Sequence, residues 1–371
     1  MQAGGRGSVK PPIGIAFEGD LGNRIDAVLA VALLNGLTVK TEARRISLSI
    51  PRPSLKGAQL ADVVSAFYLG RVIAPLGGTG TNPEGMVGMP EGSVPSSEEA
   101  SPLASAVLSK KTPEGAPAYN TVIARPLDTA DDAILMRNML LAQFDENASI
   151  VLAGPASGVA RLLGLYGARP QIQAKCKQLV MAIGAYPTGA ADPAVKADVA
   201  AARKLFADWP TAIVAVGSEL GEVLPYPGAS IQADFDWAPA HPVVDAYHAV
   251  KPGAYDAPAS ALAAVLYAVH PDDGYFKLSA PGTITVMDDG RTQFSPNPDG
   301  KHRYLIADPA QKDRVIKLYT EMVSAKPAPR AARGGRGAAA AQQQQQQRQQ
   351  QAPPPQQPPA PKPPETKPPV E

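Results

Sequence analysis

The chain is poor in features that mark several protein classes. It has one cysteine, Cys176, in 371 residues. A single thiol forms neither an internal disulfide nor a thiolate zinc site, so disulfide frameworks and zinc ribbons are excluded. No uncharged apolar run reaches the roughly 18 residues that a spanning helix needs. Met1 to Pro12 is Gly-rich, with Arg6 and Lys10 but no apolar core, and does not read as a secretory signal. The default expectation is therefore a cytoplasmic chain; one trimmed upstream would be periplasmic or secreted. Net charge is also small, at +1, but that value averages two unlike parts. Residues 325–371 hold seven Lys/Arg, two Asp/Glu and twelve of the 40 prolines, for a net of +5, which leaves the body at −4.

What is present reads as one α/β domain over residues 13–324, between a flexible lead (1–12) and a Gln/Pro-rich tail (325–371). The tail has almost no side chain larger than Ala to bury and is expected to be disordered, with polyproline II character in 353–369. Its Arg333-Gly-Gly-Arg-Gly337 element suits RNA or an acidic surface, its Pro-rich end suits a polyproline-reading partner, and a plain spacer accounts for both. In the body, short apolar runs predict strands at 13–17, 45–50, 121–124, 149–153, 178–183, 211–216 and 283–287. Helical patterns lie between them at 25–34, 56–68, 131–144, 157–166, 198–208, 259–269 and 312–323. Residues 77–117, rich in Gly, Pro, Ser and Glu, read as a surface excursion or lid. Asp288-Asp-Gly290 and Asn297-Pro-Asp-Gly-Lys301 read as hairpin turns. Continuous apolar strands alternating with helices predict a mostly parallel central sheet with helices on both faces, a Rossmann-like open sheet. Ligands of such sheets bind beyond the carboxyl ends of the strands, so the informative loops are 18–24, 49–55, 154–158, 184–197 and 217–228.

The first of those loops is acidic. Glu18, Asp20 and Asp26 follow the first strand, and such carboxylates either hold a hard cation such as Ca²⁺ or cap the next helix and stay solvated. Phe17 to Ala30, FEGDLGNRIDAVLA, resembles the opening motif of the inosine–uridine preferring nucleoside hydrolases, which in bacterial members reads FDTDIGNDIDDALA. Co-linear likeness continues through Ser149 to Tyr166 (SIVLAGPASGVARLLGLY), Gln178 to Tyr186 (QLVMAIGAY), Asp198 to Pro210 (DVAAARKLFADWP), Ser218 to Pro227 (SELGEVLPYP) and Ala264 to Pro271 (AVLYAVHP). The resemblance spans about residues 13–310.

The resemblance implies hydrolysis of the N-glycosidic bond of ribonucleosides. In that chemistry Ca²⁺ lowers the pKa of the attacking water and an aspartate takes its proton. It also implies a nucleoside or other ribose-containing ligand and a homo-oligomer. By position in the motifs, Asp20 is the metal ligand and base, Asp26 a further metal-site residue, and Ser157 a ligand through its backbone carbonyl. Asn23 and Asp192 fall at substrate-binding positions. The chain departs from the pattern in five places. Glu18 replaces the first Asp and Arg24 a later one. Ala27 replaces a bidentate metal ligand, Ala194 a ribose-binding Asn, and Ala261 the metal-binding Asp of the last active-site helix. Asp256 is the nearest carboxylate that could stand in for Ala261. His241 and His248 are candidates for the pocket rim. Two expectations follow: a binding module with an eroded calcium site, in effect a pseudoenzyme, or an active N-ribohydrolase using Asp20, Asp26 and Asp256.

Overall fold

The computed structural model describes residues 10–51, 54–70, 76–77 and 101–327. Most of the expected lead, residues 78–100 of the expected lid and all but the first three residues of the expected tail lie outside them. Six parallel strands carry the domain: β1 (Ile13–Gly19), β2 (Ala43–Ser49), β3 (Leu76–Gly77), β4 (Ala148–Ala153), β5 (Cys176–Met181) and β6 (Ala212–Ala215), in spatial order β3-β2-β1-β4-β5-β6. β10 (His302–Ala307) adds to β6 in parallel, and beyond it the sheet turns antiparallel through β8 (Gly282–Val286) and β9 (Thr292–Pro296), with β7 (Phe276–Leu278) also antiparallel to β10. This is the expected α/β architecture. The 297–301 segment is not a hairpin turn, because it joins β9 to β10 and β8 lies between them.

Strand alternation divides the interior. Ile15 and Phe17 of β1 face one core, and Ala16 faces the other with Ile150 and Leu152 of β4. The first core is closed by α1 (Ile25–Val39), α2 (Leu55–Leu69), α3 (Pro102–Leu108), α11 (Pro242–Val250), α12 (Ser260–Val269) and α13 (Lys312–Val323). The second is closed by α4 (Asp132–Leu141), α5 (Ser157–Leu162), α6 (Ala168–Lys175) and α8 (Val199–Asp208). Between these lie three short helices: α7 (Pro193–Ala197), α9 (Ser218–Val223) and α10 (Gly228–Ala233). Ile25 to Leu37 of α1 is buried at every position. A helix apolar all round has to sit inside other layers, and α1 does, between the sheet, α2, α12 and α13. Near its end, a methyl added at Gly36 would overlap the backbone carbonyl of Met322, so glycine sets how closely α1 and α13 approach.

Three expected elements change. Residues 121–124 form no strand; Val122 is exposed, and the Asp62 carboxylate on α2 accepts from Thr121 Oγ1 (2.7 Å) and Val122 N (2.9 Å). The later part of the expected surface excursion is core: α3 buries Leu103, Ala104 and Val107. The helix expected to reach Tyr166 ends at Leu162, and α6 begins after Gly167, whose φ of 72° only glycine adopts readily.

The order of the strands places the site. The chain runs outward from β1 to β3 and then resumes at β4 on the other side of β1. The β1 and β4 loops therefore diverge at a switch point, where open α/β sheets leave a crevice.

Candidate functional site

The loop after β1 lies across this switch point. Asp20 N donates to Ala153 O at the end of β4 (3.0 Å), and Asp20 O accepts from Asn23 N and Arg24 N in a tight turn. Gly154 backs against it: a Cβ there would lie 3.1 Å from Asp20 N and 3.0 Å from Pro51. The start of α3 covers the other side, where Leu103 N donates to Gly22 O (3.1 Å) and Ser101 Oγ meets Ser54 Oγ (2.8 Å). The turn is thus held by backbone on three sides, leaving the side chains of 20, 23, 24 and 26 to define its chemistry.

Those four side chains form a compact charged floor. Asn23 Nδ2 donates to Asp20 Oδ1 (2.7 Å). Arg24 grips Asp26 with two bonds, Nε to Oδ1 (3.0 Å) and a terminal nitrogen to Oδ2 (2.6 Å). Its other terminal nitrogen reaches Ala182 O beyond β5 (3.3 Å). Burial alone would push the guanidinium pKa down. Asp26, with Asp192 and Asp20 close enough to act on it, instead raises it above its ordinary value. Ser260 Oγ, in the first turn of α12, donates to Asp26 Oδ2 (3.2 Å) and ties α12 to the floor. Arg24 therefore points across the site.

Asp192 lies at the same edge. Its Oδ1 caps α7 through Ala194 N (2.7 Å) and Val195 N (3.2 Å), and its Oδ2 accepts from Gly184 N (2.9 Å). Three backbone donors thus hold this carboxylate. Ser157 opens α5 and gives its hydroxyl to Asp198 Oδ2 (2.7 Å). Asp256 is exposed, and its Oδ1 accepts from Gly228 N (3.1 Å) at the start of α10. Ala27 and Ala261 are fully buried methyls. The structure brings Asp20, Asn23 and Asp26 together around Arg24, with Asp192 near, but does not gather Asp256 with them. Among the described residues no three carboxylate, imidazole or thiolate side chains converge on a point that would hold a metal ion.

His241 is not at this edge. α2 starts at the carboxyl end of the sheet, and a rise of about 1.5 Å per residue carries Phe67 and Tyr68 roughly 18 Å away from it. His241 packs there against the rings of Phe67, Tyr68, Phe235 and Trp237. His248 is exposed on α11.

One residue missed in the sequence does belong to the edge region. Glu219, in the first turn of α9, accepts from Tyr186 N (3.1 Å), and burial raises its carboxyl pKa. Its signal was position alone, in one of the strand-end loops. Glu18, a candidate cation-holding carboxylate by sequence, is turned by strand alternation away from the floor into the opposite core. There Val159 N donates to its Oε1 (3.3 Å), and Oε2 is buried with no hydrogen-bond partner among the described residues. Burial, then the nearby Asp132, holds the Glu18 carboxyl well above its ordinary range. Below about pH 4.5 both folded and unfolded chains carry this proton. As pH rises above that, the unfolded chain releases it while the folded chain keeps it, so stability is lost at about 1.4 kcal/mol per pKa unit of elevation. Glu18→Gln is therefore expected to melt higher than the parent at pH 7 and alike near pH 4; equal melting temperatures at pH 7 would contradict this reading.

No family model matches the chain, and no curated protein matches it by sequence. Solved structures do match. A plant nucleoside hydrolase superposes with a TM-score of 0.60 at 18% identity, covering 85% of this chain and 100% of that one. The inosine–uridine preferring nucleoside hydrolase from Bacillus anthracis gives 0.59 at 15%, covering 84% and 99%. A type III effector protein solved with adenosine diphosphate ribose gives 0.56 at 14%, covering 85% and 94%. The chain has the nucleoside hydrolase fold over nearly the whole length of these structures.

Proposed function

We propose that this chain is a ribosyl-ligand-binding module on the nucleoside hydrolase fold, in which calcium-dependent cleavage of the N-glycosidic bond is lost or strongly impaired. One observation carries the reading: Ala27 and Ala261 bury methyl groups where the sequence resemblance calls for metal-binding carboxylates. Calcium takes six to eight oxygens, and carboxylate count sets its affinity. Of the remaining side-chain candidates, Asp26 is gripped by Arg24, Asp20 accepts from Asn23, and Asp256 bonds Gly228. These residues do not fit a calcium ion, so no hydrolytic step through one is derived.

The binding half rests on what is kept. Asp20 and Asn23 stand at the switch point as the resemblance places them, and a protein of this fold is known with adenosine diphosphate ribose bound. The two charge-bearing acids Asp20 and Asp26 with one Arg leave the loop net negative, which favours neutral ribosyl groups over phosphorylated ones at the floor.

Calorimetry with ribose, inosine, uridine and adenosine, alongside a base-release assay in calcium, tests the proposal. Saturable binding lost in Asp20→Ala, with no base released, is the expected result. Base release that requires calcium and disappears in Asp20→Ala would establish the active N-ribohydrolase instead.

A further inference from the structure

The misfit between this floor and a divalent cation has a specific cause in the chain. We propose that the Arg24 guanidinium is the resident cation of the site, so that Asp26 is charge-compensated and the floor ordered without any metal.

Four features meet in this residue. Arg24 carries a permanent positive charge, since a guanidinium does not lose its proton in proteins. It binds Asp26 bidentately, the geometry in which Arg matches a carboxylate best. It bridges the β1 loop to the end of β5 through Ala182 O, a span of 158 residues in sequence (3.3 Å). And it sits where the Asp20 and Asp192 charges also act on it, so one side chain faces three carboxylates from two loops.

A divalent ion in such a site would do three things: neutralise clustered acids, tie strand-end loops together, and fix the first turn of α1. Arg24 does each from within the chain. It neutralises Asp26, joins two loops, and holds Asp26 in the first turn of α1, from which Ser260 carries the connection to α12. The buried methyls of Ala27 and Ala261 fit this arrangement. With a fixed cation in place, two further carboxylates would be uncompensated buried charge. The inference rests on the assignment of this edge as the ligand site, but not on whether turnover occurs there.

The test uses the full chain and calcium alone as the probe, read by thermal melting in matched ionic strength with calcium or with chelator. The parent is expected to melt within about 1 °C in both, since binding to the folded state is what raises a melting temperature. Arg24→Gln keeps the length and removes the charge. It is expected to melt several degrees lower in chelator and to be restored by calcium at roughly millimolar concentration, the range of weak oxygen sites. Arg24→Lys keeps the charge and is expected to stay indifferent to calcium. Calcium stabilisation of the parent, or a folded Arg24→Gln that ignores calcium, would overturn the proposal. If Arg24→Gln folds in neither buffer, Arg24→Lys decides: calcium-insensitive melting supports the proposal and a calcium response overturns it. Base release by the parent in chelator would overturn the binding-module reading and leave this one standing. Calcium stabilisation of the parent without turnover would do the reverse.

Discussion

Replacing Arg161 with methionine is expected to cost about 3–5 kcal/mol of unfolding free energy at pH 7, the range for stripping one partner from a buried ion pair. Arg161, in α5, donates to Asp132 Oδ1 (2.6 Å) and to Asp131 Oδ2 on the neighbouring α4. Asp131 caps α4 through Ile134 N (3.0 Å). Asp132 is buried beside Glu18, and a Cβ added at Gly158 would strike a carboxyl oxygen of each. Methionine keeps most of the packing and removes the charge, leaving acids pressed together. Because Arg161 retains 27% of its side-chain exposure, the lower half of that range is the better expectation. The loss should shrink near pH 4, where the carboxyls take up protons. Urea denaturation at both pH values checks this, and a similar loss at each would show that packing, not charge, was removed. The double variant with Glu18→Gln should recover part of the loss at pH 7, since the two sites share neighbours and are not additive.

Acidification is expected to remove about 4–5 kcal/mol of stability through His241 alone between pH 6.5 and about 3. Burial among four aromatic rings pushes this imidazole down to about 3. Its Nδ1 accepts from Val243 N to cap α11 (3.3 Å), and Nε2 has no hydrogen-bond partner among the described residues. Above its unfolded pKa of about 6.5 the ring is neutral in both states and the full contribution is present. Below it, the unfolded chain gains a proton that the folded chain refuses. Each pH unit then costs about 1.4 kcal/mol until the folded pKa is reached. His241→Asn retains a capping acceptor without the titration. It should melt lower at pH 7, because the ring's volume is lost, and depend less steeply on pH from 6 to 4. An unchanged slope in the variant would sink the assignment. Glu18 works in the opposite sense, so the two partly cancel between about pH 4.5 and 6.5.

How much of this could be read from sequence follows from burial. β1 and β4 are covered on both faces and announce themselves as continuous apolar runs. The antiparallel edge is less clear: β8 is read at 283–287, but Gln293 and Ser295 alternate outward in β9 and dilute its signal. The 121–124 run is apolar yet lies outside the sheet, because hydrogen bonds to Asp62 satisfy its backbone there instead. At the site, Asp20, Asn23 and Asp26 were legible because one turn holds all three. Arg24 was legible only as a charge out of pattern; its carbonyl partner at Ala182 comes from another strand, and local spacing carries no trace of it. His241 misled because a histidine near a strand-end segment looks the same in sequence whether it meets solvent or four rings.

The Arg24–Asp26 pair changes the mass action of the site. A dissociable ion leaves a population of empty sites set by its concentration and affinity. A cation two residues from its anion on the same chain has neither dependence: its local concentration is fixed by covalent connection, and every folded molecule carries it. The floor then has no separate apo state, and swings in ambient calcium or a chelator leave its occupancy untouched.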